Sequence, residues 1–139
     1  KESNPCSLCA RMRRGSLHDL AKEYGVNKLA LGHHFDDAAE TVMLNLFFEA
    51  RIGCFSPVTY LSRKDLTMIR PLLLTEERDI KTFVKKASLP VMKSPCPMDK
   101  TSERAKMKDM LHAFDREHRG LYTRIVGAVE RGGIDGWHE

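Results

Sequence analysis

Nothing in this sequence approaches the roughly 20 consecutive apolar residues that a membrane-spanning helix needs, and no segment reads as a signal peptide. The expectation is a cytoplasmic chain with no membrane partner. Cysteine is scarce, with four in 139 residues. Without a secretory signal, these point to a reducing compartment, where metal or redox use outranks disulfide bonding. There is no internal repeat and no low-complexity tract, which sets aside repeat architectures and compositional linkers. The sequence opens on Lys1 rather than Met, as a truncated or processed product would. What is present is ordinary for a globular protein: 42% hydrophobic and 30% charged residues, enough for one domain with a core of its own. The net charge of +4 permits a nucleic-acid partner without requiring one.

One stretch carries most of the chemistry. The short run Lys28 to Leu31, closed by Gly32, has the pattern of a buried strand. Beyond it Ala39, Val42, Met43 and Leu46 fall at helical spacing. Between strand and helix stand His33, His34, Asp36 and Asp37, with Glu40 and Thr41 just after. Asp36 and Glu40 are neighbours on a helical surface, as are Asp37 and Thr41. The carboxyl end of a strand is where ligands bind in open α/β sheets. One aspartate there is ordinary capping chemistry, worth under about 2 kcal/mol. Two aspartates, two histidines and a Glu-Thr pair exceed what capping needs, so the stretch reads as a functional site.

Around it the spacing predicts a helix over Met12 to Tyr24 with Gly25 as its left-handed cap. A connector follows from Arg51 to Pro57, then a small hairpin of Val58 to Leu61 and Leu66 to Ile69, with Pro71 ending the second strand. Thr75 is placed to cap a helix whose apolar face is Ile80, Phe83, Val84 and Ala87. Leu89 to Asp99 holds Pro90, Pro95 and Pro97 and reads as a loop. A helix from Ser102 to His118 comes next, with Met107, Met110, Leu111 and Phe114 as its core stripe and Gly120 as its stop. A last helix covers Leu121 to Glu130. Helix–strand–helix order is half of a βαβ unit, which makes the class α/β. Basic residues gather at Arg11, Arg13 and Arg14, and again at Arg104, Lys106 and Lys108; both groups are candidates for phosphate-backbone contacts.

Cys6-x-x-Cys9 is a spacing shared by zinc, redox and iron–sulfur sites. A thioredoxin-like reading wants a strand just before the pair; Pro5 stands there instead, behind no strand-like run. A structural zinc would draw on Cys6, Cys9, Cys96 and either Cys54 or a histidine. Cys54, near Ile52 and Phe55, reads as a small buried hydrophobe.

Leu-Gly-His-His-x-Asp-Asp-x-x-Glu-Thr at Leu31 to Thr41, with Asn-Pro-Cys-Ser-Leu-Cys upstream and Ile-Arg-Pro-Leu downstream, resembles the PP-loop ATP pyrophosphatases. Within them the chain looks most like the tRNA 2-thiocytidine synthetases, over nearly its whole length. The resemblance implies that residues 1–139 are the helix-rich C-terminal part of an adenine nucleotide alpha hydrolase-like domain, Rossmann-like with a parallel sheet. It implies ATP and Mg²⁺, a tRNA substrate and a sulfur donor. Asp36 and Asp37 match the catalytic positions, with His33, Asp36 and Arg70 at the nucleotide. Cys6, Cys9 and Cys96 match the trio that holds a [4Fe-4S] cluster, with zinc as the alternative metal. The family's phosphate loop, Ser-Gly-Gly-x-Asp-Ser, is absent from these residues. They are therefore expected to be inactive alone and, with sheet edges unpaired, to form a homodimer. The rival readings are a tRNA-lysidine synthetase or thiouridylase of the same family and, in another class, a zinc-stabilised RNA-binding module.

Overall fold

The computed structural model describes residues 5–96 and 101–138. Pro97 and Asp99, the end of the expected proline loop, and Asn4 of the upstream motif lie outside the described residues. The chain forms two compact units: Lys1–Leu31 with Val58–Ile69, and Gly32–Pro57 with Arg70–Glu139.

The first unit holds helix α1, Pro5–Glu23, and a three-stranded sheet. The spacing predicts that α1 starts at Met12. The helix begins a full turn and more earlier, because a proline is pre-organised for the first helical position and the Cys-Ser-Leu-Cys-Ala run offers nothing to break it. Gly25, at φ 63°, ends it as expected, with Val26 N–H closing back on Ala21 O at 3.0 Å. The sheet has the order β1-β3-β2, from Lys28–Ala30, Leu66–Ile69 and Val58–Leu61. β2 and β3 form the expected antiparallel hairpin, in register from Val58 opposite Ile69 to Leu61 opposite Leu66. β1 runs parallel to β3, Leu29 opposite Met68, which is the α/β signature read from the element order. Leu66 and Met68, alternate residues of β3, are buried.

The second unit is helical. It comprises α2 (Phe35–Phe48), α3 (Glu77–Lys86), α4 (Glu103–Glu117), α5 (Leu121–Arg131) and a 3₁₀ turn at Ile134–Gly136. Its core joins Ala38, Ala39 and Val42 of α2 to Val126 and Val129 of α5, with Leu73, Cys54 and Trp137. Alanines on the inner face of α2 let α5 approach closely. Trp137, 2% exposed, closes the cluster and donates its indole N–H to Phe55 O at 2.9 Å. Cys54 is the buried hydrophobe expected, its Sγ 3.7 Å from Ala38 O and its thiol pushed up to about 11 by burial.

α4 is bounded as the sequence predicts. Ser102 Oγ accepts Ala105 N–H at 3.2 Å, and His118 forms the C-terminal cap. Only half of its stripe is core: Met107 and Leu111 are buried, while Met110 and Phe114 are 42% and 51% exposed. α3 departs further from expectation. It has the apolar face the spacing gives, yet none of its residues is buried, and Phe83 is 64% exposed. Thr75 does not cap it either. The capping position is Glu76, whose side chain makes no cap bond, while Thr75 O is taken by Phe35 N–H at 3.0 Å.

Candidate functional site

The polar residues between Gly32 and Thr41 all lie in the second unit, at the start of α2. His34 is the cap of α2: its Nδ1 accepts Asp37 N–H at 3.4 Å, and Asp37 Oδ2 accepts His34 N–H at 3.0 Å. This reciprocal arrangement is a capping box with histidine in the serine role, and it requires the His34 tautomer protonated at Nε2. Asp36 reaches across to α3, where its Oδ2 accepts Glu77 N–H at 2.8 Å. Asp36 is thus the cap that Thr75 was expected to be.

Glu40 is the one charged side chain in the buried set among the described residues, at 2% exposure. Burial pushes its carboxyl above the usual range, and the Arg104 guanidinium pulls it back. Arg104 Nη1 donates to Glu40 Oε2 at 3.1 Å, and Nη2 donates to Thr41 Oγ1 at 3.0 Å. The same Nη1 stands 3.9 Å from Asp37 Oδ1.

The basic group after Cys96 meets carboxylates in the folded chain. Arg104 is engaged as above, Lys106 pairs with Glu103 at 2.6 Å, and Lys108 Nζ lies 2.6 and 2.7 Å from the two oxygens of Glu77. Their spacing along α4 sets them against carboxylates on α2, α3 and α4 itself, a matching that no run of positive residues reveals in sequence.

His33 sits differently from its neighbour. Its ring stacks at 4.8 Å on Phe55, over which Arg70 Cζ also stands at 5.0 Å. Arg70 donates to Ser56 O. His33 Nδ1 is buried and has no hydrogen-bond partner among the described residues. Desolvation, and then the charge of Arg70, lower the His33 pKa below 6.5. Well above pH 6.5 the ring is neutral in both folded and unfolded chains. As pH falls below 6.5 the unfolded chain takes the proton first, so stability drops until the folded-state value is passed. The imidazole proton shift of His33, followed by NMR, is expected to titrate below 6.5, with the urea midpoint falling over the same acid window. A midpoint above 6.5 would mean the ring is not desolvated as its packing requires.

Asp36, Glu77 and His112 bring one ligand atom each within 4.8 Å of one another, a grouping that spacing could not show because it joins three helices. Two lysines already pair with Glu77 there: Lys108 Nζ with both oxygens and Lys81 Nζ at 3.1 Å. They hold the Glu77 carboxyl below the usual range against the opposing pull of desolvation. The Glu77 corner of the grouping is thereby neutralised.

Of the cysteine trio, Cys6 and Cys9 are exposed one turn apart on α1, and Arg13 Nη2 stands 3.8 Å from Cys9 Sγ. Cys96 is exposed, its N–H donating to Ser94 Oγ at 3.3 Å. Cys6 and Cys9 belong to the first unit and Cys96 to the second.

A family model described as a PP-loop domain matches residues 7–113, spanning α1 to most of α4. The chain belongs to the PP-loop family. Among its PP-loop relatives, the tRNA-cytidine(32) 2-sulfurtransferase of Geobacter metallireducens is 40% identical over 129 residues, 91% of this chain and 50% of that protein. The enzyme of the same name from Citrifermentans bemidjiense is 42% identical, over 91% of this chain and 51% of its own length. The U34-tRNA thiolase NcsA from Methanococcus maripaludis, solved with its [4Fe-4S] cluster, superimposes with a TM-score of 0.75 at 30% identity. That match covers 94% of this chain and 44% of NcsA. The chain thus spans about half the length of the curated relatives it matches.

Proposed function

We propose that this chain is part of an ATP-dependent enzyme that replaces the C2 oxygen of a tRNA cytidine by sulfur. The observation that carries the reading is identity of about 40% through nine-tenths of the chain with proteins named for that reaction. In it, the C2 carbonyl oxygen bonds the α-phosphorus of ATP and pyrophosphate leaves; sulfur then attacks C2 and AMP departs. Adenylation turns a poor oxygen leaving group into a good one.

The motif's geometry suits the nucleotide side of this chemistry. Asp36 and Asp37 each spend Oδ2 on a backbone N–H, which fixes the carboxylate; Asp36 Oδ1 is then available to Mg²⁺ or a phosphate-bound water, while Asp37 Oδ1 faces the Arg104 guanidinium at 3.9 Å. Neutral His33, locked by Phe55, presents an imidazole without adding charge beside Arg70. Cys6, Cys9 and Cys96 would hold a metal group, and exposed thiols of this number suit an iron–sulfur cluster better than a closed four-ligand zinc site. Such a cluster supplies an iron without a protein ligand, open to sulfur.

The test is nucleoside mass spectrometry of tRNA from cells lacking the gene. Loss of 2-thiocytidine, restored by the intact gene, is the expected result. Loss of 2-thiouridine instead would favour the thiouridylase reading, to which the likeness to a U34 thiolase lends some support. Unchanged thionucleosides, with a colourless zinc-loaded protein, would leave the RNA-binding module.

We also propose that two copies associate. Leu46, Phe47, Phe48 and Ile52 are consecutive or nearly so and are all 46% or more exposed, a patch larger than isolated surface residues make. Light scattering at high concentration is expected to give twice the chain mass, and a monomer there would end the idea.

A further inference from the structure

We infer that Arg104 is the positioning residue of the Asp37–Glu40–Thr41 face, and that its fork, rather than its charge alone, sets where the outer oxygen of Asp37 points. The inference rests on the reading of that face as the nucleotide side of the site.

Four observations converge on it. Arg104 stands in the first turn of α4, the end where the helix dipole favours anions, so its place is set by partners and not by its own helix. Its two terminal nitrogens go to different acceptors on successive residues of α2, Glu40 at 3.1 Å and Thr41 at 3.0 Å. A planar guanidinium makes both bonds from one rigid fork, whereas an ammonium on a flexible stem serves one acceptor well. Glu40 is a poor choice for stability alone, because its buried carboxylate gives up hydration that the half-exposed Arg104 only partly offsets. Lastly, the nitrogen that binds Glu40 is also the one 3.9 Å from Asp37 Oδ1, one helical turn earlier.

Asp37 is thereby held from both sides. The His34 N–H fixes Oδ2, and the guanidinium draws Oδ1 toward the α4 side. With Arg104 removed, Oδ1 turns freely about a carboxylate fixed at one oxygen only.

Arg104→Lys, which keeps the charge, and Thr41→Val, which removes one acceptor, test this in the intact protein. For Arg104→Lys, amide hydrogen exchange across residues 37–41 is expected to quicken about tenfold, with α5 unchanged. The KM for ATP in pyrophosphate release rises about tenfold, while kcat changes by less than about threefold. Thr41→Val gives smaller shifts of the same kind. Exchange and KM at parental levels in Arg104→Lys overturn the inference, and so does quickened exchange everywhere with a lowered Tm, which marks a mere counter-ion. If the parent protein releases no pyrophosphate with any tRNA, the functional reading fails instead, and the exchange result alone decides the positioning.

Discussion

Cys6→Ser, Cys9→Ser and Cys96→Ser are each expected to abolish iron binding after anaerobic reconstitution, with Cys54→Ser retaining it. A cluster bound by three thiolates has none to spare, and a serine hydroxyl at neutral pH is too weakly acidic to replace one. Cys54 cannot compete, since it is buried in the second unit's core and its thiol is raised to about 11. Arg13 Nη2 stands 3.8 Å from Cys9 Sγ, and Pro95 stiffens the chain entering Cys96, which lowers the entropy lost on ligation. Iron is read by colorimetric assay and by absorbance near the visible charge-transfer bands. Full iron in Cys96→Ser, or equal loss in Cys54→Ser, would assign the ligands elsewhere.

Residues 1–139 by themselves are expected to release no measurable pyrophosphate from ATP, although they fold. Binding a triphosphate needs a cradle of converging backbone N–H groups, and no Ser-Gly-Gly-x-Asp-Ser run is present to form one. The start of α2 is no substitute: His34 and Asp37 already close its first turn on each other, and Asp36 and Asp37 put negative charge where phosphate would sit. Supplying the phosphate-loop half in the same chain is expected to raise turnover by several orders of magnitude. Turnover by residues 1–139 at a rate near that of the longer protein would show that the phosphates are held by groups other than this loop.

The hairpin, α4 and the end of α1 were legible because each depends on neighbours in sequence: alternation over Leu66 to Ile69, a Ser102 cap, a Gly25 stop; β1 forms where it was expected, but Lys28 and Ala30 are exposed rather than buried. The family was legible for the same reason, since its motif is a contiguous run. The failures share the opposite cause. Thr75 lost its capping role to Asp36, which is far off in sequence and close only after folding. The carboxylates that pair with Arg104 and Lys108 of α4 lie on α2 and α3, so no reading of α4 alone reveals them. Trp137 was passed over because a lone aromatic after Gly-Gly carries no period, yet it completes the core. Within the motif itself, the excess of polar groups was read as function, and most of those groups turn out to hold helices together as well.

That double use constrains which sequences the motif can explore. Asp36 begins α3 as surely as it belongs to α2, since its carboxylate is bound to Glu77 N–H and Glu76 contributes no cap of its own. On the proposed function, position 36 therefore answers to two selections, one for ligand chemistry and one for a short oxygen-bearing side chain that can start a neighbouring helix. Alanine there fails both, so lost activity in such a variant cannot be credited to chemistry. Asparagine keeps the acceptor and removes the charge, and the difference between the two replacements isolates what the carboxylate does for the reaction. The same logic narrows drift at this site to aspartate and its few capping relatives, even in descendants that have abandoned catalysis.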